Sequence, residues 1–302
     1  MSQQNMSMEA FLSRTSFGLI LRVFAQKEAD ISNRIEMVRE LVERAAGVSV
    51  FGHRFLKAID VLVWADNRYE SDCGKTTSAL RKAVPKKVNG VLVPISEVRH
   101  GDLFCGILNH GIGLQSRRGI DYSMIVSPEA FSYLNTETTD QMVFAATKGA
   151  LAVGVAINEL TQSILEGRIA NTFAMWHNLS LLTVGGFDLR AAKPIADDRI
   201  AEYVRGWHPD KGEVFYQIAG VEEVIPLARL AETYGPCIAP IMPQGEGVQR
   251  YVVPDPIKSP ELYLRHVSKM GTKLERQSHH LAQIGFDLTY LKGGVMPDYR
   301  TV

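Results

Sequence analysis

Hydrophobic and polar positions divide the chain into short periodic segments. Residues 15–24 alternate and are rich in β-formers, which predicts a strand. Residues 30–46 carry Ile31, Ile35, Val38, Leu41 and Val42 at the spacing of one helical face. Residues 55–64 predict a second strand, with Ile59, Val61 and Val63 on one side. Residues 141–166 are apolar enough for one long helix, with Gly154 its weak point. A strand over 179–189 then ends at the Gly185-Gly186 bend, followed by a helix at 197–205, a strand at 214–218 and a helix at 221–234. Residues 237–242 and 248–253 read as short extended pieces. Residues 259–282 read as a helix with Ser259 at its N-cap and Pro260 in its first position.

Residues 65–140 differ from their surroundings. Gly and Pro punctuate short apolar runs, and from Asp66 to Arg118 nine Lys and Arg face five Asp and Glu, an excess of four positive charges. This predicts a finger- or thumb-like insertion projecting from a core, with Arg81, Lys82, Lys86, Lys87, Arg117 and Arg118 as candidate nucleic-acid contacts. The order strand, helix, strand, insertion, helix, strand predicts a single α+β domain over residues 1–302, a helix-backed antiparallel sheet carrying long insertions.

Charge and cysteine usage narrow the function classes. Lys+Arg and Asp+Glu both number 33 in the 302 residues, so the zero net charge gives no general attraction for polyanions, and any such binding must come from local patches. The three cysteines, Cys73, Cys105 and Cys237, form no CxxC pair and suit a reducing compartment. No targeting pattern opens the chain and no apolar run approaches the roughly 20 residues that span a bilayer. A cytoplasmic protein without a membrane partner is expected.

Motifs for chemistry fail on inspection. Gly74-Lys75-Thr76 lacks the glycine of a phosphate-binding loop, since Tyr69 stands five residues upstream. His110-Gly111-Ile112-Gly113 has Ser116 where a dinucleotide fingerprint needs its third glycine. The eight histidines form no metal set; His279 and His280 are adjacent and diverge on a helix. Asp188 has the chemistry of a general base, as has any other acid of the chain. Neither a cofactor nor a metal is expected. An enzyme with its site in the Gly-rich region 101–118, around Asp102 and His110, is the alternative.

Two polar stretches remain. Gly167 to Asn178 holds Arg168, Asn171, Trp176, His177 and Asn178; Leu262 to Lys273 holds His266, Ser268, Lys269 and Lys273, with Arg276 beyond. Cationic, amide and aromatic side chains mixed in this way suit contact with phosphates and splayed bases. Core packing of Phe173, Met175 and Trp176, with Arg168 at a helix end, is the plainer alternative for the first stretch.

The order and spacing of these stretches, with Met242-Pro243-Gln244-x-Glu246 between them, resemble the repeated backbone subunit of type I-F-like CRISPR Cascade complexes, a RAMP-superfamily protein. His177 stands where that pattern has Arg. The resemblance implies a modified RNA-recognition-motif (ferredoxin-like) palm. It also implies a non-catalytic, RNA-binding subunit that polymerises on guide RNA, beside target DNA, further copies of itself and other Cascade subunits.

Overall fold

A computed structural model describes residues 7–25, 31–64, 70–98, 103–156, 160–192, 203–208, 212–217, 221–248, 254–271, 273–297 and 299. After helix α1 (Met8–Arg14), strand β1 (Phe17–Phe24) leads through α2 (Ile31–Gly47) to β2 (Leu56–Trp64). The two strands pair in parallel, Leu19 opposite Ile59 and Val23 opposite Val63. Both read as nearly continuous apolar runs, the pattern of strands covered on both faces. The strands and helix expected at the start of the chain are therefore present, but they form a parallel βαβ unit.

Residues 65–140, expected to project as an insertion, add α3 (Glu70–Ala83), β3 (Ile95–Val98), α4 (Leu103–Arg117) and β4 (Tyr122–Val126). β3 extends β2 in parallel, while β4 flanks β1 in parallel on its other side. A hairpin of Lys87–Val88 and Val91–Leu92 shares the edge with β3.

The long helix expected over 141–166 is two helices and a strand: α5 (Thr136–Thr147), β5 (Ala152–Val155) and α6 (Leu160–Glu166). Gly149 takes a φ of 98°, which ends α5. A Cβ on Gly154 would lie 2.8 Å from Ile169 Cβ, so the close approach of the next strand requires glycine there. That strand is β6 (Ala170–His177), antiparallel to both β4 and β5. The strand expected over 179–189 is instead α7 (Asn178–Thr183), whose N-cap is His177.

Residues 197–202 of the expected 197–205 helix lie outside the described residues; 203–208 pair with 212–217 as a two-stranded ribbon. Helix α8 (Val224–Tyr234) leads to β7 (Ile238–Ile241), parallel to β5. The single helix expected over 259–282 is two, α9 (Pro260–Gly271) and α10 (Lys273–Ala282), and α11 (Leu288–Gly293) follows.

The main sheet thus runs β7-β5-β6-β4-β1-β2-β3, with β6 alone antiparallel among these seven strands. One face packs against α2, α3 and α5 around Leu19, Leu21, Val23, Val38 and Met142. The other packs against α4, α8, α10 and α11 around Ile20, Leu62, Ile107, Trp176 and Leu227. A mostly parallel sheet covered on both faces replaces the antiparallel palm.

Candidate active site

A parallel sheet binds ligands beyond the carboxyl ends of its strands, where neighbouring strands depart in opposite directions. Here that point lies between β1, which leads on to β2 and β3, and β4, which neighbours β6. A charged residue interrupts the apolar run of β1 at this end. Arg22 is 7% exposed, and its Nη2 donates to Ser127 Oγ, just past β4, at 2.5 Å.

Connectivity brings further polar groups to the same edge. α4 and α8 each precede a strand of the parallel set, so their N-termini lie there with Cys105 and with Glu222 and Glu223. β6 runs the other way, so its beginning, with Arg168 and Asn171, lies there too. Arg168 is 3% exposed and donates to Glu166 Oε2 at 2.5 Å. Asn171 is buried, and among the described residues neither its Oδ1 nor its Nδ2 has a hydrogen-bond partner.

Helix α10 covers this group with a buried face of Arg276, Gln277, His280 and Leu281. Lys273 Nζ lies 3.9 Å from Glu223 Oε1. Arg229 on α8 holds Asp188 at 3.5 Å.

These groups also act on one another electrostatically. Burial pushes the Cys105 thiol far above its ordinary value, aided by the charges of Glu222, Asp188 and Glu223 and opposed by Arg22. Burial lowers the Arg276 pKa; Glu223 and Glu222 oppose that, whereas Arg168 adds to it. His280 is pushed down to about 4, chiefly by burial, with His279 and Arg276 adding to the shift. It is therefore neutral at pH 7.

Of the residues singled out in the sequence, Arg168, Asn171, Lys273 and Arg276 lie around this edge. Trp176 is fully buried, its ring edge-on to Phe187 with centroids 5.1 Å apart. His177 and Asn178 sit at the opposite edge. His177 Nδ1 meets Ser180 Oγ at 2.8 Å, and burial lowers its pKa. Asn178 Nδ2 donates to the Ile120 carbonyl at 2.7 Å. His266 is half-buried on α9; Ser268 and Lys269 belong to the same helix, but their side chains lie outside the described residues.

The basic residues of 65–140 gather away from the crevice. Arg81 and Lys82 end α3 and Arg117 ends α4, both helices running toward the opposite edge, and Lys86 and Lys87 lie beside the small hairpin. Arg81 caps the Ile95 carbonyl, and Arg118 pairs with Asp60 at 2.5 Å. Asp102 lies outside the described residues; His110 is exposed midway along α4, its pKa lowered by burial and by Arg117.

Sequence reasoning missed Arg22, Ser127, Glu222 and Glu223. One signal was available: a lone arginine inside Phe17-Gly18-Leu19-Ile20-Leu21-Arg22-Val23-Phe24 is a charge placed where a doubly covered strand otherwise excludes it.

No protein-family model matches the sequence, and no curated protein is detectably similar to it in sequence. The fold has a counterpart. A mannosyltransferase from Pyrobaculum calidifontis, solved with GDP-Man and Mn2+, superposes with a TM-score of 0.52 at 11% identity. The match covers 91% of this chain and 66% of that one, so the chain spans just under two thirds of that enzyme's length.

The two chains share a Rossmann-like fold. Two weaker matches do not bear on this. Glucosyl-3-phosphoglycerate synthase from Mycobacterium tuberculosis has a TM-score of 0.40 at 14% identity, covering 89% of this chain and 81% of its own. A cytidylyltransferase from Leptospira borgpetersenii has 0.36 at 13%, covering 56% and 63%.

The shared fold overturns the modified RNA-recognition-motif palm, and the resemblance to Cascade backbone subunits falls with it. So do guide RNA, target DNA, self-polymerisation and Cascade subunits as expected partners, and the non-catalytic role drawn from them. The short motifs behind the resemblance have local explanations: Trp176 is core, and Asn178 ties β6 to the start of β4.

Among the described residues no helix is long and apolar enough to cross a membrane. Among them, too, no three His, Cys, Asp or Glu side chains are grouped so as to hold a metal ion. At the end of β1 the described residue beside Ser127 is a cation, Arg22, and no such group of ligands lies with it among the described residues.

Proposed function

We propose that the protein is a glycosyl-transferring enzyme that takes a sugar from a nucleoside-diphosphate donor and passes it to an acceptor hydroxyl. The observation that carries this reading is the convergence of Arg22, Arg168, Arg276, Glu222 and Glu223 at the carboxyl edge of a sheet ordered as above. The fold likeness to a mannosyltransferase supports it.

In the reaction so read, Glu223 at the start of α8 takes the proton of the acceptor hydroxyl. The acceptor oxygen bonds to the anomeric carbon as the bond from that carbon to the diphosphate oxygen breaks. The diphosphate leaves with the electron pair, and guanidinium groups fixed in the protein meet its growing charge without reorganising. Asp188, held by Arg229, borders the same space and suits the hydroxyls of donor or acceptor. The alternative site at 101–118 is absorbed in part, since Cys105 lines this edge while His110 stands away from it.

The test is a panel of nucleoside-diphosphate sugars incubated with the full chain, read by release of nucleoside diphosphate. At least one donor should be turned over, and Glu223→Gln should abolish that turnover while leaving the donor bound. If no sugar nucleotide binds or reacts, the proposal is wrong.

A further inference from the structure

We infer that, in the transferase proposed above, the donor diphosphate is gripped by the guanidinium groups of Arg168 and Arg276, with Arg22, rather than through a divalent cation. Arg168 and Arg276 come from distant parts of the chain, the start of β6 and the middle of α10. Both are almost wholly buried, and the charge of Arg168 works against that of Arg276. Two buried like charges are tolerated where opposite charge meets them. Glu166 meets Arg168 at 2.5 Å, and a diphosphate is a further group of opposite charge whose oxygens both guanidinium forks fit.

Unused hydrogen-bonding capacity surrounds the pair. Arg168 Nε, both amide atoms of Asn171 and both of Gln277 are buried without a hydrogen-bond partner among the described residues. Buried polar atoms are almost always satisfied, so such a group marks the place of a polar ligand. Planar guanidinium forks match phosphate oxygens in pairs, and the neutral amides match hydroxyls.

A cation would meet a hostile setting here. The mannosyltransferase of like fold was solved with Mn2+. In this chain the residue that follows β4 is Ser127, which receives a hydrogen bond from Arg22. A fixed positive charge at the switch point repels a metal ion and attracts phosphate.

The experiment is calorimetric titration of the full chain with GDP, UDP and inorganic pyrophosphate, in excess EDTA and in excess MnCl2. Binding of pyrophosphate and of at least one nucleotide should survive in EDTA. Arg276→Lys and Arg168→Lys keep the charge but lose the fork, and each should weaken that binding roughly 10- to 100-fold. Circular dichroism would show whether each variant is folded, and an Arg22→Lys variant repeats the test from a different strand.

Binding that needs Mn2+, or binding in EDTA that all three folded variants retain in full, overturns the inference and leaves the transferase reading standing. Pyrophosphate bound in EDTA with neither nucleotide leaves the anion grip standing and sinks the transferase reading. Absence of all three ligands under both conditions overturns both.

Discussion

Glu223 and Lys273 join the N-terminus of α8 to the start of α10, with Nζ 3.9 Å from Oε1 and both side chains largely buried. The pair holds α10 over the crevice and leaves the second carboxylate oxygen of Glu223 for chemistry. Glu223→Gln preserves shape and removes the proposed base. It should lower kcat by about 10²- to 10⁴-fold with little change in donor KM. Steady-state kinetics on whichever donor is turned over would check this; a rise in KM alone would make Glu223 a binding residue.

How much of this was legible in the sequence depends on which force decided each segment. Strands at 17–24 and 56–64 and the helix between them were readable because local periodicity and tertiary burial agree there. Residues 152–155 were not, because the pattern of a strand buried on both faces resembles that of a buried helix. Sheet direction depends on pairing between distant segments, and the parallel βαβ unit was not drawn from its own strand-helix-strand order. Arg168, Asn171, Lys273 and Arg276 stood out by their polarity, for an RNA contact that the fold does not support. Glu222 and Glu223 gave no signal, since two acids before an amphipathic helix are ordinary in any sequence. Only the topology carries them to the site.

Asp60 is a second buried charge inside a central strand, and its role is different. It is fully buried, and its Oδ2 accepts from Arg118 Nη1 and Gln115 Nε2, each at 2.5 Å. Burial raises its pKa above 3.8 by more than Arg118 and Gln115 lower it. A folded pKa above the unfolded one means the folded state holds the proton more tightly. Stability from this group therefore falls as pH rises from 3.8 through the folded value, and stays lower beyond it. Asp60→Asn should be at least as stable as the parent at pH 7, whereas Asp60→Ala should lose about 2–3 kcal/mol by opening a cavity and removing the acceptor that Gln115 and Arg118 share. Urea denaturation at pH 4 and pH 7 measures both, and a marked loss in Asp60→Asn at pH 7 would show that the charge itself stabilises.

Gly154 couples the sheet to the site. A Cβ there would lie 2.8 Å from Ile169 Cβ and 3.1 Å from Ala174 Cβ, so Gly154→Ala must push β6 away from β5. Overpacking of this kind costs about 1–3 kcal/mol. Because Ile169 follows Arg168 directly, the variant should also raise donor KM more than it lowers kcat. A lowered Tm with unchanged KM would mean that the shift does not reach the crevice.

His280 sets the acid limit of the fold. Its ring is buried on α10, and its pKa is pushed down from 6.5 to about 4, first by burial and then by His279 and Arg276. A hydrogen bond with Gln283 and the charge of Asp188 favour the charged ring, while Arg276 opposes it. With the folded value below the unfolded one, the unfolded chain takes up the proton first as pH falls. The contribution is complete above 6.5, declines as pH drops below it, and levels off below about 4. By pH 5 the loss should reach about 2 kcal/mol, a shift of this size carrying about 1.4 kcal/mol per pH unit. His280→Leu cannot be protonated and leaves no buried nitrogen unsatisfied, so its stability should change less between pH 7 and pH 5 than that of the parent. Parallel urea titrations of both proteins at the two pH values decide the point: equal losses would place the acid sensitivity in other groups.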